Sequence, residues 1–154
     1  MTPDTAFSAW RFLLARLHHT TNSQRVTLRL DYAPQGWQVD AVLIEILEPG
    51  VPTLLHEVAL PQRKLATVQY LQREQRTLIQ DNVETAAIKP PAALTAQYQV
   101  RSQMLGPILV HGSVAGWVSV HNTKAPHAWT SLEQQHLQQA VRTIQSDFLT
   151  FCCG

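Results

Sequence analysis

Residues Tyr98–Asn122 read Tyr-Gln-Val-Arg-Ser-Gln-Met-Leu-Gly-Pro-Ile-Leu-Val-His-Gly-Ser-Val-Ala-Gly-Trp-Val-Ser-Val-His-Asn. Two mostly apolar runs, Met104–Val110 and Val114–His121, flank His111-Gly112-Ser113. Extended segments on either side of a short Gly-bearing turn make a β-hairpin, because Gly supplies positive φ at no steric cost. One long amphipathic helix follows the hairpin, and the rest of the chain is read outward from this pair.

After the hairpin, Thr130-Ser131-Leu132-Glu133 has the spacing of a capping box, a hydroxyl at the cap and a carboxylate three residues on. The helix it opens is predicted to run to about Phe151, with Leu137, Ala140, Val141, Ile144, Phe148 and Phe151 as its apolar stripe. At the other end, residues 3–19 also read as a helix, with Phe7, Trp10, Leu13, Leu14 and Leu17 on one side. Thr2 suits its cap and Pro3 its first position. Val26, Leu28 and Leu30 alternate with Thr27, Arg29 and Asp31, the period of a half-buried strand. Beyond the Pro34-Gln35-Gly36 turn, Trp37–Leu47 predicts a longer strand, apolar on both faces and therefore central. Thr53–Leu60 is predicted as a further short strand, Pro61–Thr77 as a helix, and Leu78-Ile79-Gln80 as a return to the sheet. Asp81–Pro91 reads as loop, and Pro91–Gln97 as one or two helical turns. This order predicts the α+β class in one domain spanning residues 1–154. A central antiparallel sheet of about five to six strands carries the N- and C-terminal helices on one face. A helix and a loop cover a pocket on the other.

Composition excludes several classes. The 45% hydrophobic and 15% charged content is that of a folded domain. Net charge is +1 without a basic run, which argues against nucleic acid or an anionic membrane as partner. No apolar window is long enough to span a membrane, and the amphipathic N-terminus lacks the pattern of a signal peptide. The only cysteines are the adjacent, near-terminal Cys152 and Cys153, and a reducing cytoplasm is the expected compartment. The seven histidines include no set at metal-ligand spacing, so no metal site is expected. No phosphate loop and no Gly-x-Ser-x-Gly nucleophile motif occurs.

Four motifs in register resemble the GAF domain, a small-molecule-binding sensory fold. Leu78-Ile79-Gln80-Asp81 is similar to the extended segment before that family's variable loop. Tyr98-Gln99-Val100-Arg101-Ser102 resembles its tyrosine-glycine-valine-arginine-serine stretch, with Gln99 in place of the usual glycine. Gly106-Pro107-Ile108 and Gly116-Trp117-Val118-Ser119-Val120-His121-Asn122 are similar to its hairpin, and Pro126–Glu133 to the start of its last helix. The specific part spans about residues 78–145. The resemblance implies a pocket under the middle helix and the 81–98 loop, and dimerisation through the terminal helices. It implies a non-enzymatic module that binds an unidentified small molecule and signals through those helices or the dimer to a separate output protein. The alternatives are a structural or dimerisation module without ligand, and a small enzyme.

Family chemistries can be sorted by residue. Covalent bilin attachment requires a cysteine where this chain has Ile88-Lys89-Pro90-Pro91-Ala92. Reduction of free methionine sulfoxide requires thiolates in the pocket, and Cys152 and Cys153 lie at the end of the last helix. The asparagine-lysine-phenylalanine-aspartate-glutamate signature of cyclic-nucleotide-binding relatives is absent. The cofactor is thus left open. The candidate ligand-binding residues are Tyr98, Ser102, Gln103, Trp117, Ser119, His121 and Asn122. Two facings are open for the last strand. Polarity points Trp117, Ser119 and His121 at the pocket; comparison with bilin-binding relatives points Val118, Val120 and Asn122 there. An enzymatic reading would use His121 as general base. Arg101 is expected to be solvated or paired with Asp81.

Overall fold

In a computed structural model, which describes residues 1–57 and 60–153, the hairpin is the middle of the sheet. Strands β4 (Ser102–Val110) and β5 (Ser113–Asn122) pair antiparallel from Ser102↔Asn122 to Val110↔Ser113. A two-residue turn closes them, with His111 at φ 50 and Gly112 at φ 77. Both central residues having positive φ matches the right-handed twist of the flanking strands. Between Ile108↔Gly116 and Leu109↔Val114 the register shifts, leaving Ala115 as a bulge.

The remaining elements are α1 (Pro3–Thr20), β1 (Arg25–Leu30), β2 (Ile44–Leu47), α2 (Ala66–Glu74), β3 (Leu78–Gln80), α3 (Ala92–Ala96) and α4 (Ser131–Cys152). Among the described residues the sheet has five strands in the order β2-β1-β5-β4-β3, and every neighbouring pair is antiparallel.

Helices α1 and α4 lie on one face. Their stripes, Trp10, Leu14 and Leu17 with Leu137, Ile144 and Phe148, pack on Val26, Leu28, Ile44, Met104, Ile108, Val118 and Val120. Each such large apolar side chain, fully buried, contributes roughly 1.5–3 kcal/mol. Thr2 accepts from Thr5 N at 3.2 Å and Pro3 opens α1. Thr130 and Glu133 form the capping box of α4. Glu133 also accepts from Asn22 N at 2.8 Å, so the same carboxylate ties the α1–β1 connection to α4. Trp10 Nε1 donates to Asp147 at 3.1 Å across the two helices. The other face carries a smaller cluster, in which Val68 and Leu71 of α2 pack with Val39, Leu78, Leu105, Val114 and Trp117.

Three expectations are corrected. The Trp37–Leu47 strand shrinks to Ile44–Leu47 and lies at the sheet edge, not at its centre. Its first half is diverted because side chains take the backbone groups a neighbouring strand would need. Val39 N donates to Asp31 Oδ1 at 2.8 Å, and Val39 O accepts from Arg29 Nη1 at 3.0 Å. In Thr53–Leu60 the described residues form turns, not strand, while Val58 and Ala59 lie outside the described residues. The Pro61–Thr77 helix is a 3-10 turn at Gln62–Lys64 followed by the nine-residue α2. Asp40 Oδ1 holds Gln62 N at 3.0 Å, and Gln75 ends α2 at φ 53.

Gln99, where the family pattern has glycine, has φ 62. A side chain in that left-handed conformation costs roughly 1–2 kcal/mol, part of which glycine loses again to its freer unfolded chain. Gln99→Gly is therefore expected to stabilise by about 0.5–1 kcal/mol, read as a rise in the urea midpoint.

Candidate functional site

The sheet face turned away from α1 and α4 is polar along two strands. β1 presents Arg25, Thr27 and Arg29, and β5 presents their register partners His121, Ser119 and Trp117. These six are all at least nine-tenths buried. They are covered by the chain between β2 and α2, by α2 itself, and by the 91–98 segment. Between floor and cover lies a cavity of about 50 Å³, lined by Thr27, Arg29, Ser119, Trp117, His121 and Leu105 below. Leu54, Glu57, Leu65, Thr67, Val68, Leu94 and Tyr98 are among the residues above. That volume holds a few water molecules.

Two buried arginines tie the floor to the cover. Arg25 Nη2 donates to Pro52 O at 2.5 Å and Tyr98 O at 2.9 Å, one carbonyl from each covering segment. Its Nη1 meets His121 Nδ1 at 3.1 Å. Its Nε lies 4.0 Å from Glu45, which accepts from Thr53 Oγ1 at 2.6 Å and Leu54 N at 2.7 Å. Burial pulls the Arg25 guanidinium down to about 10, partly offset by Glu45 and Glu57, so it stays a cation at neutral pH. Arg29 donates to Val39 O and to the Glu57 carboxylate. Two cations and two anions thus balance within the buried layer.

Arginine has only donors, so the His121 Nδ1 facing it is the acceptor, and the ring proton sits on Nε2. Burial, then Arg25 and Arg29, holds His121 well below its usual 6.5. Among the described residues the hydrogen bond of the His121 ring is the one at Nδ1, and His121 lines the cavity. Thr27, Thr67 and Ser119 line the same space.

The sequence candidates separate by face. Trp117, Ser119 and His121 line the cavity and Tyr98 sits at its rim, half-buried. Asn122 lies on the opposite side of β5, where it donates to Asn22 O and accepts from Lys124 N and Ala125 N. Ser102, paired with it in register, donates to Ala125 O at 3.3 Å. Gln103 shares the cavity-side face of β4 with Leu105 but is used up in a chain of amides. Its Nε2 donates to Gln80 Oε1, whose own Nε2 donates to Ile88 O. Arg101 approaches Glu84 at 4.0 Å, while Asp81 instead receives Trp129 N. Sequence reading missed Arg25, Thr27, Arg29, Glu45 and Glu57. Its half-buried strand pattern assigned the β1 polar face to solvent, although all six residues of β1 are buried. The available signal was two arginines at strand period with two acids in the following segments.

The GAF domain family model matches residues 9–146. The chain belongs to the GAF family. No curated protein matches its sequence. Among solved structures, the GAF domain of the cyanobacteriochrome TePixJ superposes with TM-score 0.74 at 16% identity, covering 94% of this chain and 91% of that one. A far-red cyanobacteriochrome photoreceptor gives 0.71 at 14% identity, with 94% and 86% covered. The chromophore-binding domain of an unusual bacteriophytochrome from R. palustris gives 0.73 at 14%, with 94% of this chain and 56% of that one. At such identities the likeness is one of fold. Among the described residues of this GAF domain, no helix is long and apolar enough to cross a membrane, and no group of three His, Cys, Asp or Glu is placed to hold a metal ion.

The depressed His121 gives the domain a pH signature. Unfolded His121 takes a proton near pH 6.5, while the folded one, facing Arg25, Arg29 and the Arg29-paired Glu57, does not. Stability is therefore full above about pH 6.5 and falls below it, by up to about 1.4 kcal/mol per unit until the folded group titrates. Glu133 is lowered as well, its hydrogen bonds from Thr130, Asn22 and His127 outweighing burial, and it adds loss in the same direction only below about 4.5. Urea titrations between pH 7.5 and 5 check this, and His121→Gln is expected to flatten the slope above pH 5.

Proposed function

We propose that this GAF domain is a non-enzymatic sensory module that binds a small molecule between the sheet floor and its cover. The observation that carries it is the set of buried polar side chains that line one cavity: His121, Thr27, Ser119 and Thr67. Buried polar groups ordinarily find a partner, and four that face one cavity are placed to find it in a bound molecule. Trp117 supplies an apolar wall and Tyr98 the rim. Floor residues of β1 and β5 alternate with Val26, Leu28, Val118 and Val120, which sit under α1 and α4. A displacement of the floor therefore reaches the terminal helices through one sheet thickness. We take those helices as the output, through a homodimer and a separate effector protein in the cytoplasm.

The structural neighbours include chromophore-binding photoreceptor domains, one with bound biliverdin. Here the 88–92 segment offers no thiol, and about 50 Å³ is far below the roughly 300–1,000 Å³ of drug-sized sites. Thiol chemistry is disfavoured too. Burial and the neighbouring Cys153 push the Cys152 thiol up to about 11, away from a reactive thiolate, and neither lines the cavity.

Native mass spectrometry of the protein purified from a cell lysate tests the reading. The expected result is a dimer carrying a non-covalent small molecule that is lost in Ser119→Leu, a cavity filler. An empty wild-type protein that takes up nothing from the lysate removes the ligand reading, and a monomer at micromolar concentration removes the dimer.

A further inference from the structure

We infer that the ligand is a compact, uncharged molecule with a carbonyl-type acceptor, received by the Nε2–H of His121 and flanked by the Ser119 and Thr27 hydroxyls. The inference rests on the ligand-binding reading above and adds the chemical class. The polarity of the site follows from the arginine behind it. Arg25 has no acceptor, so it fixes His121 Nδ1 as the receiving atom and leaves Nε2 as a donor toward the cavity. Ser119 and Thr27 are register partners, adjacent to the Arg25–His121 pair two residues along both strands. The floor therefore offers one fixed donor beside two hydroxyls that rotate to suit.

Charge decides the rest. Both cations near the floor are already committed. Arg25 holds two carbonyls, the imidazole and the edge of Glu45, and Arg29 holds Val39 O and Glu57. A carboxylate ligand adds a second anion beside Glu57, with no further cation among the described lining residues to balance it. An ammonium ligand meets a fixed N–H donor and buried guanidinium groups, and the lining carboxylate, Glu57, is already paired with Arg29. A neutral acceptor disturbs none of these pairs. The walls above it, Leu94, Val68, Leu105 and Trp117, suit a short apolar body, and the volume limits it to a few heavy atoms unless the cover lifts.

Three small molecules of similar shape and different charge make the test: propionamide, propionate and propylammonium. Each is titrated into isotopically labelled full-length protein while NMR follows the Trp117 indole and the His121 ring nitrogens. Propionamide is expected to shift both saturably, to move the Nε2–H proton downfield, and to bind at least tenfold more tightly than either ion. His121→Phe is expected to weaken propionamide tenfold or more. The wild-type ring spectrum, showing the proton on Nε2, stands even if that variant folds poorly. Preference for propionate or propylammonium, or a proton on Nδ1, overturns the class while leaving the site. No response to any of the three overturns both the class and the ligand reading.

Discussion

Arg25→Met is expected to lower stability by about 3–5 kcal/mol, the range for removing one member of a buried charged network. The loss has several identifiable parts. Pro52 O, Tyr98 O and His121 Nδ1 lose their donor together, and Glu45 loses its nearest cation while 2% of its side chain is exposed. Each unsatisfied buried group costs roughly 1–3 kcal/mol. Methionine recovers some of this, since the buried guanidinium was itself costly enough to bring its pKa down to about 10. Glu45 also keeps Thr53 Oγ1 and Leu54 N, which holds the loss within the range stated. Arg25→Lys is not a rescue, because one ammonium cannot reach acceptors spread around a planar fork. A double variant with Glu45→Gln removes the uncompensated charge and should be at least 1 kcal/mol more stable than the sum of the two single changes predicts. Urea unfolding measures the wild type and all four variants. A single-variant loss below 1 kcal/mol means the network does not hold the cover to the floor.

The same network shows where reading from sequence stops. The hairpin, the two terminal helices and the Thr130–Glu133 cap are legible because their signals are local: a period, a Gly turn, a hydroxyl three residues before a carboxylate. The β1 polar face is not local. Thr27 and Arg29 alternate with valine and leucine just as a solvated strand would, and distant covering residues such as Leu54, Val68, Leu94 and Tyr98 make that face interior. Polarity nonetheless oriented β5 as the structure has it, with Trp117, Ser119 and His121 toward the cavity, whereas comparison with bilin-binding relatives favoured the opposite set. Asn122 and Ser102 look like ligand groups in sequence because they are polar and lie at strand ends. They serve the Asn22 and 123–125 connections, partners about a hundred and about twenty residues away that no spacing rule anticipates. The broken second strand failed for a related reason. Asp31 and Arg29 compete for the Val39 backbone, and a hydropathy pattern does not register a side chain that captures a neighbouring main chain.

Gly116→Ala is expected to cost at least the upper end of the roughly 1–3 kcal/mol typical of overpacking, and far more than Gly106→Ala. Both glycines lie in the hairpin motifs that resemble the family, yet the space around them differs in kind. A Cβ at Gly106 meets Val141 Cγ2 at 2.8 Å and Leu137 side-chain atoms from 3.3 Å. Those are methyl and methine groups on α4, and the helix is able to shift by a few tenths of an ångström; a loss of about 1 kcal/mol is expected. A Cβ at Gly116 falls 2.1 Å from Arg29 O and 2.8 Å from Leu30 Cα. These are backbone atoms of the adjacent strand, so relief requires β1 and β5 to part where Leu30 pairs with Gly116. The parting begins one residue from the Arg29↔Trp117 pair at the cavity floor. Gly116→Ala should therefore also move the Trp117 indole resonance, whereas Gly106→Ala, which presses on α4 from the opposite face, should leave it in place. Equal losses from the two substitutions, or an unmoved Trp117 signal in Gly116→Ala, would show that β1 and β5 are not held as close at this point as the geometry requires.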